Sequence, residues 1–121
     1  MSELTTVTRT LFPSAARTTH ASSASIVNPG AQAVRFDIDI TAFTGTGITF
    51  TIESWDPAKG AWVAELASAA LAATGRTVLH IAPTMVAAAN LVATRIVPRM
   101  LRVTPSGTIT SVTYSVVYTF A

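Results

Sequence analysis

The sequence predicts a small all-β protein: an antiparallel β-sandwich or barrel with an extended N-terminal arm and at most short helical turns. Apolar and polar residues alternate with a period of two in three segments, at 34–40, 48–52 and 112–120. Turn-forming residues separate the strand-like segments, as is typical of sandwiches and barrels. Because 121 residues fit one domain, we divide the chain into an arm at 1–30 and a sandwich domain at 31–121.

The predicted arm has a weak strand pattern at Leu4–Phe12, followed by small and polar residues at 14–25. Such a segment has few apolar side chains to bury and would be poorly ordered alone. We therefore expect residues 1–25 to be ordered by contact with another chain. The apolar side chains proposed as assembly contacts are Leu4, Val7, Leu11 and Phe12.

The segment from Val34 to Glu53 is the centre of the predicted sandwich. Its two alternating stretches flank Thr44-Gly45-Thr46-Gly47, which predicts an antiparallel hairpin with its tip at 44–47. One face of this hairpin is apolar and is expected to lie in the core. That face consists of Val34, Phe36, Ile38, Ile40, Ile48, Phe50 and Ile52.

The rest of the chain alternates between strand and turn signals. Asp56–Gly60 predicts a turn into a strand at Trp62–Leu66. Two alanine-rich segments are ambiguous: Ala64–Ala73 is an irregular strand or loop in which one helical turn is possible, and Thr84–Ala93 could form a helix face. Further short strands are predicted at 26–27, 77–81, 99–104 and 112–120, with turns at 28–30 and 105–108.

The composition limits the classes of partner. Hydrophobic residues make up 50% of the chain and charged residues 12%, so Thr, Ser and Ala must cover much of the surface. Two interpretations stay open: neighbours bury part of that surface, or threonine is simply frequent in strands. The net charge is only +2, with dispersed arginines and a single lysine, so we expect no nucleic-acid partner. No segment approaches the roughly 20 apolar residues of a membrane span, and no apolar leader precedes the arm, which predicts synthesis in a cytoplasm.

Few residues could carry chemistry. Arg35, Asp37 and Asp39 share a strand face and could hold a cation, but a solvated polar stripe is the favoured interpretation. His20 and His80 are far apart in sequence, and cysteine is absent. Nucleophile-elbow, P-loop and dinucleotide-binding motifs are also absent from the sequence. We therefore expect no catalytic residue, no cofactor and no metal site.

Two tryptophans flank the Asp56–Gly60 turn. Trp55 and Trp62, together with the carboxylates of Glu53, Asp56 and Glu65, are compatible with a sugar cleft containing paired acids. The favoured interpretation is that the two indoles close one end of the core.

The order of the motifs along nearly the whole chain resembles a family of small β-sandwich virion structural proteins of tailed bacteriophages, especially those of actinobacterial hosts. The segments that carry this resemblance are Thr8–Thr10, Ala15–Thr18, Arg35–Thr41, Thr44–Thr46, Ile48–Glu53, Asp56–Gly60, Ser68–Ala70, Thr74-Gly75, Pro98–Val103 and Thr113–Val116. Thr84–Pro98 is not matched closely.

The resemblance implies a head decoration (cement) protein without catalytic residues. It would be made in the host cytoplasm, would bind the major capsid protein on the capsid surface of the virion, and would self-associate, with a trimer preferred. Two alternatives stay open: a tail or head-tail structural protein, and a carbohydrate-binding module on a virion fibre.

Overall fold

The structure is a computed structural model that describes residues 7–121, and these residues form seven β-strands and no helix. The predicted all-β class is confirmed. The strands are β1 (Val7–Arg17), β2 (Ile26–Val27), β3 (Val34–Asp56), β4 (Ala61–Ala67), β5 (Gly75–Ile81), β6 (Val92–Ala93) and β7 (Met100–Phe120).

Two long strands, β3 and β7, form the central ribbon of the fold. They pair antiparallel over almost their whole length, from Val34 opposite Phe120 to Ser54 opposite Leu101. The predicted hairpin tip at 44–47 and the predicted turn at 105–108 are therefore both wrong. Both segments lie within continuous strands in the middle of the ribbon, where residues 44–47 face 108–111 and residues 105–108 face 47–50. Three register shifts between Ile40 and Gly47 form bulges there instead of reversing the chain.

Glycines allow the two strands to approach closely at these bulges. Gly45 and Gly107 have φ angles of +145° and +111°, which residues with a side chain rarely adopt. A Cβ on Gly45 would lie 2.7 Å from the Cα of Ile109, and a Cβ on Gly107 would collide with the carbonyl oxygen of Gly47. Glycine within a strand pattern marks a bulge and a close backbone approach here, rather than a turn.

The bulged region divides the ribbon into two halves with different neighbours. In one half the strands run β1, β7, β3, β5, β6; in the other, β2 lies beside β7 and β4 beside β3. The β5–β6 pair is parallel and the remaining pairs are antiparallel.

Both halves contribute their apolar faces to one core. The Phe50 ring from one half lies edge-on to the Tyr114 ring from the other, with centroids 5.0 Å apart. The sheet is thus folded over its own apolar face, with corners made by bulges. The core cluster consists of Ile26, Val34, Phe36, Ile38, Ile40, Ile48, Phe50, Ile52, Leu79, Ile81, Ala93, Val97, Leu101, Val103, Val112, Tyr114, Val116 and Phe120.

The described part of the predicted arm is bound to its own chain. Residues 7–17 form the edge strand β1, which pairs with β7 through two register shifts, between Thr10 and Phe12 and between Phe12 and Ala15. The expectation that another chain orders this segment therefore does not hold for residues 7–17. Since the bulges interrupt the alternation of side chains, the sequence shows only a weak strand pattern there.

The two ambiguous alanine-rich segments contain no helix. After β4, Ser68 is buried, and its Oγ accepts a hydrogen bond of 3.0 Å from the backbone N–H of Phe50. In the second segment, Ala88 and Val92 are joined by backbone hydrogen bonds around Asn90, which has a φ of 62°. The interpretation of Ala64–Ala73 as an irregular strand or loop is therefore confirmed, since β4 ends at Ala67 and no helical turn follows. The possible helix face at Thr84–Ala93 is wrong, because the left-handed Asn90 favours a turn over a helix.

Candidate functional site

The predicted assembly contacts lie on β1 as far as they are described. Leu4 lies outside the described residues, and Val7 is half-buried opposite Phe120. Leu11 and Phe12 pack against the core of their own chain. The structure thus gives Leu11 and Phe12 intrachain contacts, and their role as contacts with another chain stays a prediction.

Arg17 fixes β1 onto β7, a role that the sequence did not reveal. Its guanidinium donates hydrogen bonds to the carbonyl oxygens of Pro13 (2.6 Å), Ala15 (3.1 Å) and Tyr114 (2.8 Å). The same group lies 4.3 Å from the ring centroid of Tyr114 and 5.3 Å from that of Phe12. Backbone groups freed by the bulges are satisfied in this way, so β1 is held by both polar and apolar contacts.

The loop between β5 and β7 exposes large apolar side chains. Val86 is 90% exposed and Ile96 82% exposed, and Leu91 is also exposed. Single exposed apolar residues are common on protein surfaces, but here three large ones lie within eleven residues of sequence, and covering them would be favourable. We call residues 83–98 the apolar loop.

The backbone of the apolar loop is fixed in place. Thr94 Oγ1 donates a 2.6 Å hydrogen bond to the carbonyl oxygen of Met85, which ties the two sides of the loop together. Arg95 forms an ion pair of 3.1 Å with Glu65 on β4, and Asn90 Nδ2 donates to the carbonyl oxygen of Ala67. The loop therefore presents its apolar side chains in a defined position.

The polar stripe on β3 does not form an open cation site. Both Arg35 and Arg76 donate to Asp37, at 2.9 Å and 2.6 Å. Burial tends to raise the pKa of Asp37, but the hydrogen bonds from the two guanidinium groups outweigh it, so this pKa lies below its ordinary value. Asp39 lies opposite Arg76 in the β3–β5 register. Two arginines thus neutralise Asp37, the central carboxylate of this stripe.

The two histidines are not brought together. His20 Nε2 is 2.9 Å from the carbonyl oxygen of Gly107, at the bulged region of the ribbon. His80 lies on β5 opposite Arg35. Burial lowers the pKa of His80, the charge of Arg35 lowers it further, and the charge of Asp37 opposes both effects. Within residues 7–121, no group of three or more His, Cys, Asp or Glu side chains could hold a metal ion.

The two tryptophans lie on the outer surface of the β3–β4 hairpin. Trp55 and Trp62 are cross-strand partners with ring centroids 5.6 Å apart in an edge-to-face arrangement. Trp55 is 39% exposed, so the interpretation that both indoles close the core is wrong for this residue. The predicted turn between them is confirmed: Asp56 Oδ1 accepts hydrogen bonds from the backbone N–H groups of Ala58 and Lys59.

The carboxylates near the tryptophans have separate partners. Glu53 Oε1 accepts hydrogen bonds from Arg102 Nε at 2.8 Å and Thr104 Oγ1 at 2.5 Å. Burial raises the pKa of Glu53. The two hydrogen bonds and the charge of Arg102 lower it by more, so the pKa lies below its ordinary value. Glu65 binds Arg95. Each of these two carboxylates is thus engaged by an arginine from a different part of the chain.

Comparisons with known proteins return no match: no family model, no curated protein and no solved structure is similar to this chain. Among residues 7–121, no helix is long and apolar enough to cross a membrane.

Proposed function

We propose that this chain is a non-enzymatic structural protein of a tailed-phage virion, which decorates the outer surface of the assembled head. The resemblance of its ordered motifs to small virion β-sandwich proteins supports this function. The structural observation that carries the proposal is the apolar loop, where exposed Val86 and Ile96 project from a fixed backbone.

Covering the apolar loop with a neighbouring protein would be favourable. Fully burying a valine or isoleucine side chain contributes roughly 1.5–3 kcal/mol. Because the loop is already ordered by the Thr94–Met85 and Arg95–Glu65 contacts, binding would require little additional loss of backbone entropy. The loop thus has the properties of a preformed contact surface for the major capsid protein.

The sheet edges offer a second type of contact. Within the described residues, β1 lies at the end of the strand order and pairs only with β7. The free backbone groups along its other side could accept a strand from a neighbouring subunit. Self-association at this edge, with a trimer preferred, would allow several apolar loops to bind the shell at once. Weak single contacts become strong in combination through multivalency.

The proposal is tested with particles that lack this protein, to which purified protein is added back. We expect such particles to assemble but to rupture at a lower temperature than complete ones. Added wild-type protein should restore the rupture temperature of complete particles. Val86→Asp and Ile96→Asp should bind at least tenfold more weakly, since each places a charge in the contact. Thr110→Asp, at an exposed site on β7, is the matched control and should bind normally.

Equal binding by all four proteins would show that the apolar loop is not the contact. Particles that rupture at the same temperature with and without the protein would contradict the decoration function itself and favour the tail alternative.

A further inference from the structure

A second surface, on the other half of the sandwich, has the composition of a ligand site. We call it the tryptophan platform: Trp55 and Trp62 together with Arg102, Glu53 and Thr104. Its residues come from three adjacent strands, β4, β3 and β7, and Glu53 lies directly opposite Arg102 in the β3–β7 register. The platform is independent of the apolar loop and of the proposed function.

The platform is held rigid by its own contacts. The Arg102 guanidinium carbon lies 4.5 Å from the ring centroid of Trp62, and Trp62 packs edge-to-face with Trp55. Arg102 is in turn fixed by Glu53, which is fixed by Thr104. A chain of contacts thus orients the exposed Trp55 ring before any ligand binds.

Polar groups with unused hydrogen-bonding capacity lie beside the rings. Within residues 7–121, Arg102 donates through Nε to Glu53 Oε1, while its two terminal nitrogens and Glu53 Oε2 have no hydrogen-bond partner. A donor and an acceptor are therefore fixed next to each other and next to an aromatic surface. Adjacent hydroxyl groups, each of which donates and accepts, complement such a pair.

The charge and size of the platform favour a small neutral ligand. Glu53 and Arg102 form an ion pair, so the platform carries no excess charge that would select a phosphate or another anion. One partly exposed indole offers far less area than the roughly 800 Å² per partner of a standard protein interface. A six-membered sugar ring is about as large as one indole, and it has an apolar C–H face and a rim of hydroxyl groups.

We propose that the tryptophan platform binds a neutral hexopyranose, as a free sugar or as one unit of a surface polysaccharide. The C–H face of the sugar would pack on Trp55, and two neighbouring hydroxyls would hydrogen-bond to Arg102 and Glu53. The proposal is for binding alone, because Glu53 and Glu65 are each paired with an arginine.

The chain provides its own reporter for this site, because Trp55 and Trp62 are its only tryptophans. The experiment titrates the full chain with glucose, galactose, mannose and N-acetylglucosamine, and with short oligosaccharides of each. It follows tryptophan emission and backbone amide chemical shifts. We expect at least one sugar to bind with a Kd on the order of millimolar or tighter, with shift changes concentrated around Trp55, Trp62 and Arg102.

Two variants locate the binding. Trp55→Ala should weaken binding at least tenfold, and its fold is checked by circular dichroism. Ile96→Ala removes an exposed apolar side chain outside the platform and should bind sugar as the wild type does. Arg102→Lys, which retains the charge but loses the planar donor pair, should also weaken binding.

Three results would overturn the proposal. One is the absence of shift changes with every sugar tested. Another is equal sugar binding by wild type and by a folded Trp55→Ala variant. The third is that purified shell protein binds the wild type but not Trp55→Ala, while no sugar gives a response. That result would assign the platform to a protein contact. Failure of the decoration proposal would not change the sugar response of the wild type or of Trp55→Ala.

Discussion

Replacing Gly107 by alanine tests whether β3 and β7 are continuous strands that approach closely at the bulges. Gly107 has a φ of +111°, and a Cβ there would collide with the carbonyl oxygen of Gly47. Gly30 is a matched control, because its φ is +101° and nothing lies within 4 Å of a Cβ added there. Both substitutions introduce the same methyl group into nearly the same backbone conformation, and they differ in what that group meets.

The expected losses follow from these geometries. Gly30→Ala should lower the free energy of unfolding by about 1–3 kcal/mol, the cost of a residue with a side chain in this φ region. Gly107→Ala should carry the same cost plus that of displacing the β3 backbone. Overpacking contributes about 1–3 kcal/mol and a weakened ladder hydrogen bond about 0.5–1.5 kcal/mol. We therefore expect Gly107→Ala to lose about 1.5–4.5 kcal/mol more than Gly30→Ala.

The assay is urea unfolding followed by far-ultraviolet circular dichroism, with m-values compared to confirm a two-state transition. The change in unfolded-chain entropy from glycine to alanine is the same at both positions and cancels. Equal losses for the two variants would refute the reasoning. That result would place Gly107 in an open turn, as its Pro-Ser-Gly-Thr context alone predicts.

Three further predictions concern the core, the edge strand and the ion pair of Glu53. Phe50→Ala should cost about 3–5 kcal/mol in urea unfolding because its ring is fully buried, whereas Thr49→Ala, on the opposite face, should cost far less; equal losses would mean that the register is wrong. Phe12→Ala should lower the stability of the isolated subunit by about 1–3 kcal/mol, because this half-buried ring packs on Tyr114; an unchanged unfolding curve would mean that the ring contacts another chain instead. Glu53 has a lowered pKa in the folded protein, so its contribution to stability is present above the ordinary glutamate pKa of 4.5 and is lost as the pH falls through the folded value. Glu53→Gln should therefore flatten the loss of stability in acid, as measured by thermal unfolding between pH 2 and pH 7, and an identical acid profile would contradict the ion pair.

The alternating residues allowed the fold class and most of the core to be predicted. Phe36, Phe50 and Tyr114 lie on the apolar faces of period-two segments, and each is buried in the structure. Alternation reports which face of a strand is buried, but it does not report which strands pair. The sequence therefore predicts a hairpin tip at 44–47, although glycine serves equally in a turn and in a bulge where another strand passes closely.

The candidate surfaces were harder to predict, because they depend on contacts between residues distant in sequence. Arg17 meets Tyr114, and Arg102 meets Trp62 and Glu53, only after β7 has paired with β1 and β3. No local pattern indicates these contacts. The exposure of Val86 and Ile96 was hidden for a similar reason, since apolar residues in an alanine-rich segment also fit a helix packed on a core.

The most direct test of the proposed function is an image reconstruction of the virus particle at a resolution that identifies this chain. The proposal predicts many copies of the sandwich on the outside of the head, with the loop carrying Val86 and Ile96 seated against the major capsid protein. Density for this chain confined to the tail, or a few copies at the head-tail junction, would contradict it.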